Sequence, residues 1–205
     1  QYNATVINKL CSSGAILVAK LAMIELAGGM GYRQPNASLT GPCKSPWGKN
    51  MWAGGSSSGS GSAVGTGLVP FAIGSETWGS ILSPANNCGI SGLRPTFGRV
   101  SRYGAMALSW SLDKIGPLCL SADDCGIVLN EIAGPDSKDP SASDKVYEYS
   151  VDSGKRKFKL AVLTSASTNI DEEVSGNFEE SLGTLSQFCE IEKINFPDYP
   201  YEAIT

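Results

Sequence analysis

Short apolar blocks alternate along the chain with stretches rich in glycine, serine and proline, and the spacing of apolar positions changes from block to block. In "TVINKLCSSG", Val6, Ile7 and Leu10 share one side of a helix that ends at Gly14. The continuous apolar run "AILVAKLA" predicts a buried strand, and "MIELAGG" a short helix stopped by glycine. Residues 31–53 carry proline, glycine, asparagine and serine throughout and predict a loop. "SGSAVGTGL" has helical length but only small side chains, as suits a helix pressed against neighbouring backbone. "VPFAIGSE" reads as a strand ending in a turn, and "GISGLRPTFGRVSR" as strand and turn again. "SADDCGIVLNEIAG" predicts a helix capped by Ser121, with Asp123 and Asp124 in the first turn and Gly134 at the end. Beyond the polar loop "AGPDSKDPSASDKVYEYSVDSGKRK", the order is a strand ("FKLAVLT"), an amphipathic helix ("DEEVSGNFEESLGTLSQFC") and a strand ("EIEKINFP"). Helices and strands alternate without an internal repeat, so the expectation is an α/β fold around a parallel or mixed sheet.

Composition narrows the function classes. With 205 residues and 41% hydrophobic content, the chain can bury a real core, as one large domain or part of a larger one. The net charge of −4 comes from scattered residues, which argues against a nucleic-acid or anionic-membrane surface. The nearest approach to a membrane span, "GAILVAKLAMIELAGG", is interrupted by Lys20 and Glu25 and falls short of the roughly 18 apolar residues required. Gln1 is not an initiator and no signal peptide is visible, so the natural N-terminus is expected to lie elsewhere. The six cysteines are widely spaced with no C-x-x-C pair, which predicts single buried or partly buried thiols, no thiolate metal site and a cytoplasmic protein. Histidine is absent altogether. That removes Ser-His-Asp and Cys-His mechanisms and most catalytic zinc sites. A nucleophilic serine here needs lysine, a carboxylate, another hydroxyl or an outside group to activate it.

"GGSSSGSGSAVGTG" at residues 54–67 looks like a linker, yet it runs directly into "LVPFAIGSETWGSILSPANNCG". Glycines around serines let backbone N–H groups approach a substrate oxygen. The turns "GGSSS" and "GSETWGS" sit at either end of one helix–strand unit. Their serines can converge on a pocket as nucleophile, relay hydroxyl and oxyanion hole. The competing reading is a structural glycine-rich packing helix, and the residues alone leave both open.

The stretch "GGSSSGSGSAVGTGLVPFAIGSETWGSILSPANNCGISGLRPTFGRVS" resembles the amidase signature family, serine hydrolases of carboxamides that include the glutaminase subunits of tRNA-dependent amidotransferases. "ATVINKLCSSGAILVAKLAMIELAGG" and "SLDKIGPLCLSADDCGIVLNEIAGPDSKDP" are similar to that family's flanking segments, so the likeness covers residues 4 to about 163, with a looser fit beyond. The resemblance implies an amidase-signature α/β fold, a mixed sheet with helices on both faces. Residues 1–205 would form part of a single amidase domain, with N-terminal and C-terminal parts lying outside this chain. It implies that Ser80 is the acyl-forming nucleophile and Ser56 the bridging serine on an unusual cis peptide. The amides of Thr77, Trp78, Gly79 and Ser80 would form the oxyanion hole. The third triad member is a lysine further upstream than the 55 residues preceding Ser56, and Lys20 matches a different, non-catalytic lysine. No metal and no organic cofactor is implied.

Two departures bear on substrate. Trp78 stands where the family has the first glycine of G-G-S-I-R, and Leu82 where it has the arginine. Only backbone is needed from Trp78, and loss of the arginine disfavours a charged substrate group at that point. Other motifs carry less. "SLDK" has S-x-x-K spacing at Ser111–Lys114, but the chain has no K-T-G strand, and Asp113 reads as structural. The glycines of "GPCKSPWGKN" are wrongly spaced for a phosphate loop, and "KRKFK" (residues 155–159) reads as a solvated loop edge. The expectation is an amidase acting on a small-molecule carboxamide. The alternatives are a glutaminase subunit with amidotransferase partners and a catalytically silent binding module. A homodimer, absence of nucleic acid and absence of membrane complete the expectations.

Overall fold

The computed structural model describes residues 2–28, 34–150, 158–164 and 170–199. The chain divides into two compact units, Gln1–Tyr149 and Ser150–Thr205. Gly29 of "MIELAGG", residues 31–33 of the first loop and residues 151–157, with three of the "KRKFK" residues, lie outside the described residues.

In the first unit the elements run α1 (Thr5–Ser12), a 3-10 turn (Glu25–Ala27), α2 (Ser58–Gly65), β1 (Phe71–Glu76), α3 (Leu82–Cys88), β2 (Ser91–Gly92), β3 (Lys114–Cys119) and α4 (Ala122–Ile132). The strands form one antiparallel sheet in the order β1-β3-β2, with Phe71 opposite Cys119 and Glu76 opposite Lys114. Helices cover both faces. Ile115 and Cys119 of β3 pack with Val6 and Leu10 of α1 and with Cys125, Val128, Leu129 and Ile132 of α4. Leu118, pointing the other way by the period of two, packs with Ile81 and Ala85. α4 starts as the sequence predicts: the Ser121 hydroxyl accepts the Asp124 N–H.

α2 explains its own composition. A Cβ on Gly59 would stand 2.5 Å from the Ala22 nitrogen, and the Gly59 N–H donates to the Ala22 carbonyl at 2.7 Å. A larger side chain would push the helix off the segment before it. The Ser60 hydroxyl donates to the Ile73 carbonyl and fixes the helix on β1.

Three local expectations change. No strand forms over residues 15–24, whose backbone is used instead in single bonds to the Ser56 and Gly59 region. The apolar run there is largely exposed, with Ile16, Leu17 and Val18 in solvent. The hydrophobic pattern does not predict β3, because Gly116 and Pro117 break a strand pattern. The strand tolerates Pro117 because its carbonyl still accepts the Leu93 N–H at 3.0 Å. α3 is hidden by its weak composition, Leu-Ser-Pro-Ala-Asn-Asn-Cys, with Pro84 in the first turn where its missing N–H costs nothing.

The second unit is a β–α–β stretch: β4 (Phe158–Leu163), α5 (Glu172–Leu185) and β5 (Cys189–Ile194), with the strands parallel and Phe158 opposite Cys189. Asp171 caps α5 by accepting the Glu173 N–H. The first unit's sheet is antiparallel and this one parallel, so neither alone is mixed. All six cysteines are free, three of them buried, and burial pushes the Cys88 thiol up to about 11. Among the described residues no helix is long and apolar enough to cross a membrane.

Candidate active site

The two glycine–serine turns meet. Gly54 has φ +81°, a conformation that favours glycine, and it delivers the chain into a cis peptide between Gly55 and Ser56. The Ser56 carbonyl accepts the Ile24 N–H at 3.0 Å and the Ser58 hydroxyl at 3.3 Å. The Ser57 hydroxyl donates to the Ser75 carbonyl and accepts the Ser75 N–H, which pins the turn to β1. The Ser57 N–H donates to the Ser80 carbonyl at 3.2 Å. That bond ties the turn carrying Ser56 to the turn carrying Ser80.

The hydroxyls themselves are differently placed. Ser56 is fully buried, and its Oγ has no hydrogen-bond partner among the described residues. Ser80 is 4% exposed. No direct hydrogen bond joins the Ser56 and Ser80 hydroxyls among the described residues. A buried hydroxyl without a partner loses the water bonds it would otherwise make, so it marks a position where polar chemistry rather than packing sets the residue.

Between β1 and α3 the backbone makes an open turn. Among the described residues the amides of Thr77, Trp78, Gly79 and Ser80 donate no hydrogen bond within the protein. The next two amides are already taken: Ile81 and Leu82 N–H groups donate to Glu76 Oε2 at 2.7 and 2.9 Å. The second oxygen of Glu76 meets Arg94 Nη1 at 3.1 Å. Glu76 is 1% exposed, so a buried carboxylate with three donors defines where the turn ends and α3 begins. At the other end Thr77 is held twice. Its hydroxyl donates to Asp113 Oδ1 at 2.5 Å, and its carbonyl accepts Lys114 Nζ at 2.9 Å. The other oxygen of Asp113 accepts the Leu108 and Ser109 N–H groups, so Asp113 is structural, as its sequence setting suggests.

Two apolar side chains of this turn reach solvent. Trp78 is 80% exposed, and Leu82 is also exposed. A small cavity beside Thr77 is lined by Ala27, Met106, Leu108, Trp110, Asp113 and Lys114 among others. Sequence reasoning picks out Ser56, Thr77, Trp78, Gly79 and Ser80 but not Glu76, Arg94 or Lys114. The signal available for Glu76 is a carboxylate at the end of an apolar strand, directly before a glycine–serine turn.

The family model for Amidase matches residues 1–203. A glutamyl-tRNA(Gln) amidotransferase subunit from Legionella pneumophila (strain Corby) is 48% identical over 162 residues, which is 78% of this chain and 33% of that protein. The crystal structure of a glutamyl-tRNA(Gln) amidotransferase subunit from Thermotoga maritima superposes with a TM-score of 0.88 at 38% identity, over 96% of this chain and 44% of that one. Native peptide amidase from Stenotrophomonas maltophilia gives 0.82 at 29% identity, over 98% of this chain and 43% of that one. The chain spans about a third of the length of the curated relatives it matches. The likeness also continues past residue 163, into the β4–α5–β5 stretch that sequence reading fits only loosely. On the match over residues 1–203, the chain belongs to the amidase family, with an amidase-signature fold.

Proposed function

We propose that this chain carries the nucleophile and oxyanion hole of an amide hydrolase, with Ser80 attacking the carbonyl of a carboxamide. The supporting observation is the run of free amides at Trp78, Gly79 and Ser80, tied through Ser57 to the buried, unpartnered hydroxyl of Ser56. As the carbonyl becomes tetrahedral its oxygen gains charge, and unengaged N–H groups held on a rigid turn stabilise that charge without reorganising. Ser56 relays the Ser80 proton to a base, the C–N bond breaks, ammonia or an amine leaves, and water hydrolyses the ester. No described lysine hydrogen-bonds to the Ser56 hydroxyl: Lys114 donates to the Thr77 carbonyl, and Lys9 to the Ile132 and Ala133 carbonyls.

The test is covalent capture. Phenylboronic acid should form a tetrahedral adduct in the intact protein, seen by boron NMR, and Ser80→Ala should abolish it. Adduct formation that survives in Ser80→Ala refutes the assignment. Exposed Trp78 and Leu82 favour a neutral, apolar amide over glutamine. A second reading is supported by the 48% identity to an amidotransferase subunit: glutamine as substrate, with ammonia passed to partner subunits. Hydrolysis of a hydrophobic primary amide is to be compared with that of glutamine, with and without such partners. Faster glutamine turnover, or activity only with partners, selects the second reading.

A further inference from the structure

We propose that Lys114 is a positioning residue for the oxyanion hole, acting through the peptide that joins Thr77 to Trp78. The inference rests on the Ser80 assignment above. Thr77 C=O and Trp78 N–H belong to one planar peptide unit and point in opposite directions across it. Lys114 Nζ donates to the carbonyl end at 2.9 Å. The amide end is one of the unengaged donors at the turn. A cation on the carbonyl draws electron density along the peptide and makes its N–H a stronger donor, and it fixes the plane in which that N–H lies.

The surroundings keep the charge available for this purpose. Among the described residues no carboxylate lies within 4.0 Å of Lys114 Nζ. The two nearby carboxylates are engaged elsewhere, Glu76 by Arg94 and two backbone amides, and Asp113 by Thr77 and two backbone amides. Lys114 begins β3 opposite Glu76, so a rigid strand pair aims it at the turn. The charged groups facing it are Arg94, Glu76 and Asp113. Burial, with Arg94 adding to it, holds the ammonium below the ordinary lysine range against the pull of the two carboxylates.

The experiment measures boronate affinity and Thr77 itself in the intact protein. Phenylboronic acid and Ser80 combine as the Oγ–B bond forms, boron becomes tetrahedral and anionic, and the hydroxyl proton is released. Lys114→Met should weaken this affinity about tenfold, in line with the larger loss caused by removing a whole oxyanion donor. Lys114→Gln, which keeps a donor without charge, should fall between, and Lys114→Arg should restore most of the affinity. In the parent, the Thr77 carbonyl carbon shift should titrate below the ordinary lysine range, and Lys114→Gln should lose that titration. If Lys114→Met does not fold, the glutamine variant and the carbonyl titration decide. Unchanged affinity in folded Lys114→Met, with Ser80→Ala still abolishing the adduct, overturns the positioning role and leaves the nucleophile standing. Boronate binding that survives Ser80→Ala overturns the nucleophile, and this inference with it.

Discussion

Glu76 shows how much one side chain decides here. It stands at the last position of β1, buried, and converts three donors from Ile81, Leu82 and Arg94 into the corner between strand and helix. Replacing it with alanine strands two backbone N–H groups, one of them on a fully buried residue. Hydrogen bonds to a charged group contribute about 1.5–3 kcal/mol each, and the Arg94 contact adds little because that side chain is 45% exposed. Glu76→Ala is therefore expected to lower unfolding free energy by about 3 kcal/mol in urea titration. A loss under about 1 kcal/mol would mean that water replaces the carboxylate. Gly116 is a second such position. A Cβ there would stand 2.2 Å from the Leu93 carbonyl oxygen, a backbone atom that moves only if the β2–β3 edge moves. Gly116→Ala should cost about 1–3 kcal/mol, read by the same titration.

At the scale of elements, the first unit is clasped by one carboxylate. Asp136 accepts the Thr5 hydroxyl at the start of α1, the Ser101 hydroxyl and the Lys138 N–H. The Ser101 bond first, then Thr5 and Lys138, hold its pKa down to about 2 from 3.8. The folded state thus prefers the ionised form. The stability this contributes is complete above the unfolded value near 3.8 and is lost as pH falls through about 2. Acid unfolding should show a limb between those values in the parent that Asp136→Asn lacks. Identical acid limbs in the two proteins would remove Asp136 from the account. α1 should also show faster amide exchange in the variant, because its first turn loses the Thr5 anchor.

For the molecule as a whole, the exposed surface is the dominant fact. Ile16 is 85% exposed, and its chain neighbours Leu17 and Val18 are exposed with it. Apolar surface of this kind marks a place where protein packs against protein. The 205-residue polypeptide by itself is expected to associate and to bind a hydrophobic dye. Ile16→Ser with Val18→Ser should reduce both, measured by light scattering and dye fluorescence. A monodisperse monomer without dye binding would count against the argument.

The sequence by itself determined the elements whose signals are local. α1, α4, α5, β1, β4 and β5 were legible because period, caps and turn residues lie within each segment, as Ser121 and Asp171 do at their helices. It also determined the family and the small-residue face of α2, since a helix of glycine and serine has few other uses. Only the tertiary structure decided the rest. Residues 15–22 have the apolar run of a strand, but a strand exists through its partner, and none pairs with it among the described residues. β3 looks broken at Gly116 and Pro117 until Leu93 and β1 supply the ladder on either side. The turn at Trp78 could be read as a motif. That its amides are free while the next two are consumed by Glu76, and that Lys114 backs the Trp78 amide, depends on contacts across 5 to 37 residues of chain, which no local pattern encodes.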